Sequence, residues 1–241
     1  LGNNSIEELR KQTSAVWESV YKDNNNEVST LANSLWLNEE HNYNQETMDA
    51  LAYHYYSSVY RCNLGSSKAN KSISRWLKKN TGGVLKDSTE NINLPPDTVL
   101  ALYSTLLFQS KWSDEFSSVN NTDDIFHGLD GDTSVTFMNK KLYQMYYYWH
   151  DNYSAVGLSL KNGSTMWFIL PDEGYTTADI LREGVYSQMI SSSDTENGQE
   201  NKKYMKVNLS VPKFDLTSTV NLKDGLMNMG VTKVFDLNNS D

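Results

Sequence analysis

The chain has 241 residues, a net charge of -9 and a pI near 4.9. That length can bury a sizeable core in one large domain or two small ones, and the acidic balance argues against nucleic acid, whose binders need clustered Lys and Arg to displace counterions. A single cysteine, Cys62, excludes an internal disulfide framework and a cysteine-rich zinc site, and no apolar run is long enough to span a bilayer.

The first helix is signalled by Ser5-x-x-Glu8, a capping box, and by Ile6, Leu9, Thr13, Val16, Trp17 and Val20 on one face; it is expected to stop in the turn Asp23-Asn24-Asn25-Asn26. Val28 to Leu37 reads as a strand, with Leu31, Asn33, Leu35 and Leu37 on one side and Ala32, Ser34 and Trp36 on the other. Met48, Leu51, Ala52, Tyr55 and Val59 recur three and four residues apart, which predicts a helix from about Gln45 to Tyr60. A third helix, about Ser66 to Asn80, carries the stripe Ala69, Ile73, Trp76 and Leu77. Lys78 and Lys79 suit its negative end, and Gly82-Gly83 can take the left-handed cap.

Two prolines, Pro95 and Pro96, mark an extended approach to LALYSTLLFQSKWSDEF at 100 to 116. One face of this strand is Leu100, Leu102, Ser104, Leu106 and Phe108, and the other is Ala101, Tyr103, Thr105 and Leu107. Both are apolar, the pattern of a central strand covered on both sides. Beyond it the chain is mostly β. Ala155 to Leu160 and Thr165 to Leu170 flank Lys161-Asn162-Gly163-Ser164, a tight hairpin in which Asn-Gly is expected to supply the positive φ angles. Residues 191 to 203 are polar and aperiodic, which predicts a mobile loop, and Tyr204 to Val211 alternate as a strand with one wet face, ending at Pro212. Helices early and antiparallel strands late give an α+β class.

Chemistry-bearing motifs are few. The nucleophile elbow, the Walker phosphate loop and Gly-x-Gly-x-x-Gly are absent. His41, His54, His127 and His150 are scattered without metal-ligand spacing, and the aspartates of FHGLDGDTS, at 126 to 134, miss the calcium-loop spacing and read as an Asp-Gly turn. The aromatic run 143 to 153 puts Tyr143, Met145, Tyr147 and Trp149 on one strand face and Tyr146 and Tyr148 on the other. Aromatics at that spacing pack across strands, with a carbohydrate-stacking platform as the alternative.

Several stretches, in order along the chain, resemble the serpin family of protease inhibitors. LANSLWL at 31 to 37 is similar to a family strand, and SISRWLKKNTGGVLKD at 72 to 87 to the helix that crosses the main sheet, with Trp76 as its tryptophan and Thr81-Gly82-Gly83 as its exit. LALYSTLLFQSKWSDEF resembles strand three of sheet A, with Lys111 and Trp112 on the motif at its end. FHGLDG, LPDEG at 170 to 174 and PKFDLTSTVNLKDGLMNMGVTKVFD at 212 to 236 follow in the family's order.

The resemblance implies an α+β serpin-like fold: a large mixed or antiparallel sheet with covering helices, plus further β-sheets. It implies one domain over residues 1–241, incomplete at both ends. The opening helices are then expected before Leu1, and the second gate strand, the reactive loop and the last barrel strands after Asp241. The implied function is suicide-substrate trapping of serine or cysteine peptidases: a peptidase cuts the reactive loop, which inserts as a new strand beside LALYSTLLF. Asn33, Trp76, Ser104, Thr105, Phe108, Lys111 and Trp112 are then a conformational gate, structural rather than chemical. Small hydroxyl residues at Ser104 and Thr105 suit a strand that must part from one neighbour and accept another. The family's usual Asn is replaced by Ser104. No catalytic residue, cofactor or metal is implied; the partners are the target peptidase and the remaining serpin polypeptide, and the setting is secreted or extracellular. The alternatives are a non-inhibitory serpin-fold binding protein and an extracellular carbohydrate-binding β domain.

Overall fold

The computed structural model describes residues 5–24, 27–85, 89–90, 92–128, 131–182 and 201–235. Residues 191–200 of the expected loop lie outside them. The chain divides into two compact units, Leu1–Glu115 with Tyr146–Lys203, and Phe116–Met145 with Tyr204–Asp241.

The first unit opens with α1, Ile6–Val20, whose N-terminus is closed by Ser5 Oγ accepting the Glu8 amide at 3.2 Å. Leu9, Thr13, Trp17 and Val20 are half-buried, whereas Ile6 and Val16 of the expected stripe are exposed. The helix ends at Val20, ahead of the expected Asn-rich turn, and a two-residue strand, β1, Lys22–Asp23, follows. The long β2, Glu27–Asn38, pairs antiparallel with β1 and parallel with β3, Ser57–Cys62. Its other edge takes β4, Leu100–Ser110, antiparallel from Glu27↔Ser110 to Leu37↔Leu100.

The second helix departs from its expected span. Helix α2, Gln45–His54, stops six residues short of Tyr60, and Val59 lies in β3. Tyr56 adopts φ 50°, which no helix continues through, and the residues after it pair with β2 from Asn33↔Ser57 onward. The stripe that continued to Val59 was helical by spacing alone; the parallel ladder to β2 overrides it.

Helix α3, Ser67–Asn80, forms as its sequence dictates, with Ser66 Oγ accepting the Ala69 amide at 3.2 Å. Ala69, Ile73 and Leu77 are buried with Trp36 of β2 and Leu64, and Trp76, Ala101 and Tyr103 pack on this cluster. Each such fully buried aliphatic side chain contributes about 1.5–3 kcal/mol. The approach to β4 is held by a close passage: a Cβ on Gly65 would lie 2.6 Å from the Pro96 Cα.

The rest of the unit is a hairpin of β7, Tyr153–Ser159, and β8, Thr165–Pro171. Its turn differs from the expected one. Only Gly163 has a positive φ, 84°. The Gly163 amide donates to the Leu160 carbonyl, the Leu160 amide to the Ser164 carbonyl, and Asn162 Oδ1 accepts the Ser164 amide. This is a type I turn followed by a left-handed glycine, which needs one positive φ where the type I′ turn of Asn-Gly needs two. Tyr148, Tyr153, Ala155 and Ile180 make a second core, with Ile180 supplied by α4, Thr177–Arg182.

In the second unit β5, Thr122–Gly128, pairs with β6, Gly131–Trp149, from Thr122↔Phe137 to Gly128↔Gly131. Leu129 and Asp130, at the expected Asp-Gly turn, lie outside the described residues. Strand β9, Lys202–Pro212, also pairs with β6, and Val207, Leu209 and Val211 are covered while Lys206, Asn208 and Ser210 are exposed. Residues 213–235 hold a short helix, α5, Lys223–Asn228. Phe214, Leu216, Val220, Leu222 and Met229 of this segment are exposed.

Candidate functional site

The central strand pair, β2 and β4, positions three of the residues expected to form a gate. Register sets Asn33 directly opposite Ser104 and Ala32 opposite Thr105. The Ser104 hydroxyl donates to Asn33 Oδ1 at 2.8 Å, and the Thr105 hydroxyl donates to the Ala32 carbonyl at 3.3 Å. Asn33 uses its amide nitrogen on the other side, donating to the Tyr55 carbonyl at 2.8 Å. Both strands are thus tied at mid-length by side chains as well as by their backbone ladder. These bonds are neutral, so their strength does not depend on ionic strength.

The seven expected gate residues do not form one cluster. Asn33, Ser104 and Thr105 meet at the middle of the pair. Phe108, opposite Ser29, is about half-exposed on the same face of β4 as Ser104. Lys111 and Trp112 lie beyond the end of β4, where they meet the β7–β8 hairpin: Trp112 bridges Leu160, its ring lies 6.1 Å from that of Phe168, and the Lys111 carbonyl accepts the Lys161 amide. Trp76 belongs to the α3 cluster, with Ala101 and Tyr103 of the opposite face of β4. Burial there raises the Tyr103 phenol above its ordinary value.

Among the described residues, strand β4 is covered on one face, where its sequence pattern predicts cover on both. Thr105 is buried and Ala101, Tyr103 and Leu107 are half-buried, whereas Leu100, Leu102, Leu106 and Phe108 stand 48–67% exposed. An unbroken apolar run records that both faces avoid water; it does not say what covers them. Among the described residues, no strand pairs with the edge of β4 that faces away from β2.

Sequence reasoning missed the support behind Asn33. Trp17 of α1 donates from its indole to the Leu31 carbonyl at 3.0 Å and stacks on Tyr56 at 4.1 Å and on Tyr21 at 4.7 Å. The Tyr56 hydroxyl donates to Glu18 at 2.9 Å, and that bond, with burial, raises the phenol above its ordinary value. No local signal marks Tyr56, because a bulky residue at positive φ is rare.

The remaining candidates resolve separately. Tyr148 is buried in the core against Trp167, so the aromatic run is divided between core and surface; Tyr147 and Trp149 stack at 6.2 Å on its other face. His127 pairs with Asp132 at 2.7 Å across the β5–β6 hairpin, and no group of three metal-ligating side chains occurs among the described residues. Cys62 is half-buried, and burial, then Glu39, raises its thiol.

Comparison with known proteins follows this geometry. The sequence profile of the family described as Serpin (serine protease inhibitor) matches residues 1–241. The chain belongs to the serpin family. It is 27% identical to alpha-1-antitrypsin of Meriones unguiculatus over 98% of its own length and 56% of that relative's. To an uncharacterised serpin-like protein of Thermococcus kodakarensis it is 25% identical, over 84% of the chain and 46% of the relative. The chain thus spans about half the length of the curated serpins it matches. Among solved structures, the thermophilic serpin tengpin in its latent state superposes with a TM-score of 0.83 at 22% identity, over 99% of this chain and 63% of that one. Ovalbumin from emu superposes with a TM-score of 0.81 at 18% identity, over 95% and 59%. The fold is that of a serpin, α+β with two mostly antiparallel sheets. No helix among the described residues is long and apolar enough to cross a membrane.

Proposed function

We propose that this serpin chain is part of a suicide-substrate inhibitor of serine or cysteine peptidases, in which a cleaved loop inserts as a new strand against the outer edge of β4. The observation that carries the reading is β4 itself: an eleven-residue strand paired residue for residue with β2 along its length, whose other edge is the one the second gate strand would share until the loop inserts. A strand of that length offers a ladder about 36 Å long. Small hydroxyl groups at Ser104 and Thr105 support the same reading, since they tie β4 to β2 without placing bulk in the path of an arriving strand. The gate then runs from Asn33, Ser104 and Thr105 to Phe108, with Lys111 and Trp112 where the loop first arrives and Trp76 under the opposite face.

On this reading residues 1–241 are one serpin domain, and further polypeptide of the same protein covers Leu100, Leu102, Leu106 and Phe108. The target is a serine or cysteine peptidase, a serine peptidase being favoured by relatives named antitrypsin and antiproteinase. A secreted setting goes with it, as for antitrypsin. In the trapped state the scissile peptide bond is broken and its carbonyl carbon stays on the peptidase as an ester or thioester, the departing amine having taken the proton.

Incubation of the full-length protein with trypsin-, chymotrypsin- and elastase-like peptidases, followed by denaturing gels, tests this. An adduct that survives denaturation is expected with one of them, and the 241-residue chain alone is expected only to be digested. Absence of an adduct with any active serine or cysteine peptidase would make the parent a non-inhibitory serpin.

A further inference from the structure

The gate is set from behind by an unusual residue. Tyr56 is, among the described residues, the one non-glycine with a positive φ. A bulky side chain there is disfavoured, and such conformations persist only where their surroundings enforce them. The enforcement is visible. The Tyr56 ring lies flat on Trp17, 4.1 Å away with planes 16° apart, and its hydroxyl reaches Glu18; Trp17 is itself pinned to the Leu31 carbonyl of β2. Ser14 adds a bond to the His54 carbonyl at 3.1 Å. Helix α1 therefore grips the end of α2 through three separate side chains.

That grip fixes one atom the gate uses. The last carbonyls of a helix have no partner within it, and they carry the negative pole of its dipole. The Tyr55 carbonyl, at the end of α2, meets the Asn33 amide nitrogen at 2.8 Å. An amide whose nitrogen is engaged on one side presents its oxygen on the other, and Asn33 Oδ1 is the acceptor for Ser104. Because a hydroxyl can donate or accept, Ser104 cannot impose this orientation on Asn33; the Tyr55 carbonyl can.

We infer that Tyr56 is a positioning residue for the gate: its left-handed backbone, held on Trp17, fixes the Tyr55 carbonyl that turns Asn33 toward Ser104. A surface helix is thereby linked to the strand pair on whose outer edge the loop inserts. The trapping arm of the test rests on the inhibitor reading; the exchange arm does not.

The experiment uses the full-length protein and its variants Tyr56→Asn, Tyr56→Phe, Ser104→Ala and Tyr56→Asn/Ser104→Ala. Asn tolerates the left-handed backbone while removing the ring, and Phe keeps the ring. Native-state hydrogen exchange of residues 102–106 is measured, together with the number of inhibitor molecules consumed per peptidase trapped. Tyr56→Asn is expected to speed exchange at 102–106 by about tenfold and Ser104→Ala by a similar factor, the scale of one lost hydrogen bond. Tyr56→Phe is expected to stay within about twofold of the parent, and the double variant to be no faster than Ser104→Ala. Acceleration confined to residues 6–20 and 45–54, or a double variant equal to the product of the singles, would overturn the inference, because Tyr56 would then support only its own helices. If the parent traps no peptidase, the inhibitor reading fails and the exchange pattern still decides the role of Tyr56.

Discussion

Strands β2 and β4 lie side by side through eleven paired residues, and both are apolar, yet they live in different surroundings. Ser34 to Asn38 of β2 are all buried, and the polar groups among them are answered: the Trp36 indole donates to Ser34 at 2.9 Å, and Asn38 donates to the Thr98 carbonyl at 3.0 Å. Strand β3 closes one edge of β2 and β4 the other. Strand β4 has one partner edge among the described residues and an apolar face open from Leu100 to Phe108. Burial of apolar residues on one strand therefore says little of its neighbour. What separates the two, among the described residues, is how many edges are paired.

Paired leucine truncations probe the contrast at its largest. Leu35→Ala, at a site 3% exposed in β2, is expected to cost about 2–5 kcal/mol. Leu106→Ala, at a site 67% exposed in β4, is expected to cost under about 1 kcal/mol in the 241-residue chain. Urea unfolding of the two variants measures both. In the full-length protein the gap should narrow as the open face becomes covered; equal costs in the 241-residue chain would remove the distinction drawn here.

A smaller contrast separates the two partners of the gate bond. Asn33→Ala leaves both the Ser104 hydroxyl and the Tyr55 carbonyl without their partner, for an expected loss of about 1–3 kcal/mol. Ser104→Ala removes only a donor from an exposed position, for about 0–1 kcal/mol. Denaturant midpoints that rank the two variants in the reverse order would place the anchor on β4 rather than β2.

The smallest effect is one of pH. Glu18, accepting the proton of Tyr56, and then burial hold that phenol above its ordinary value, with Tyr53 adding to the shift and Ser14 opposing it. The folded state thus favours the neutral phenol. Its contribution is intact below the ordinary phenol value of about 10 and is lost as pH rises through the raised folded value. The difference in urea midpoint between the parent and Tyr56→Phe should be flat from about pH 7 to 9 and shrink above about pH 10. Shrinkage already between about pH 7 and 9 would mean that another group governs this contact.

Much of this architecture is legible in local chemistry. Ser66, the stripe Ala69, Ile73 and Leu77, and Gly82-Gly83 announce α3 because each acts within a turn or two of the chain. The end of α2 is not legible in that way. Its apolar spacing runs on through Val59, and only the ladder to β2 and the clamp of Trp17 on Tyr56 turn those residues into a strand. Family resemblance singled out Asn33, Ser104 and Thr105; that Asn33 faces Ser104 is a matter of register between residues 71 positions apart. Neither composition nor period fixes such a register. What covers the Leu100–Phe108 face of β4 is not legible for a related reason, since a period-two pattern reports what a face avoids and not what lies against it.

The central claim, the proposal that β4 takes a cleaved loop as a new neighbouring strand, is tested most directly by calorimetry of the full-length protein before and after its reactive loop is cut by limited proteolysis. Insertion adds a ladder of backbone hydrogen bonds worth about 0.5–1.5 kcal/mol each, so that roughly ten of them rival the ~5–15 kcal/mol stability of an ordinary domain. The cleaved form should melt on the order of ten degrees or more above the intact one, the reverse of what a nick does to most proteins. A cleaved form that melts at or below the intact temperature would contradict the account and leave β4 a strand that accepts no loop.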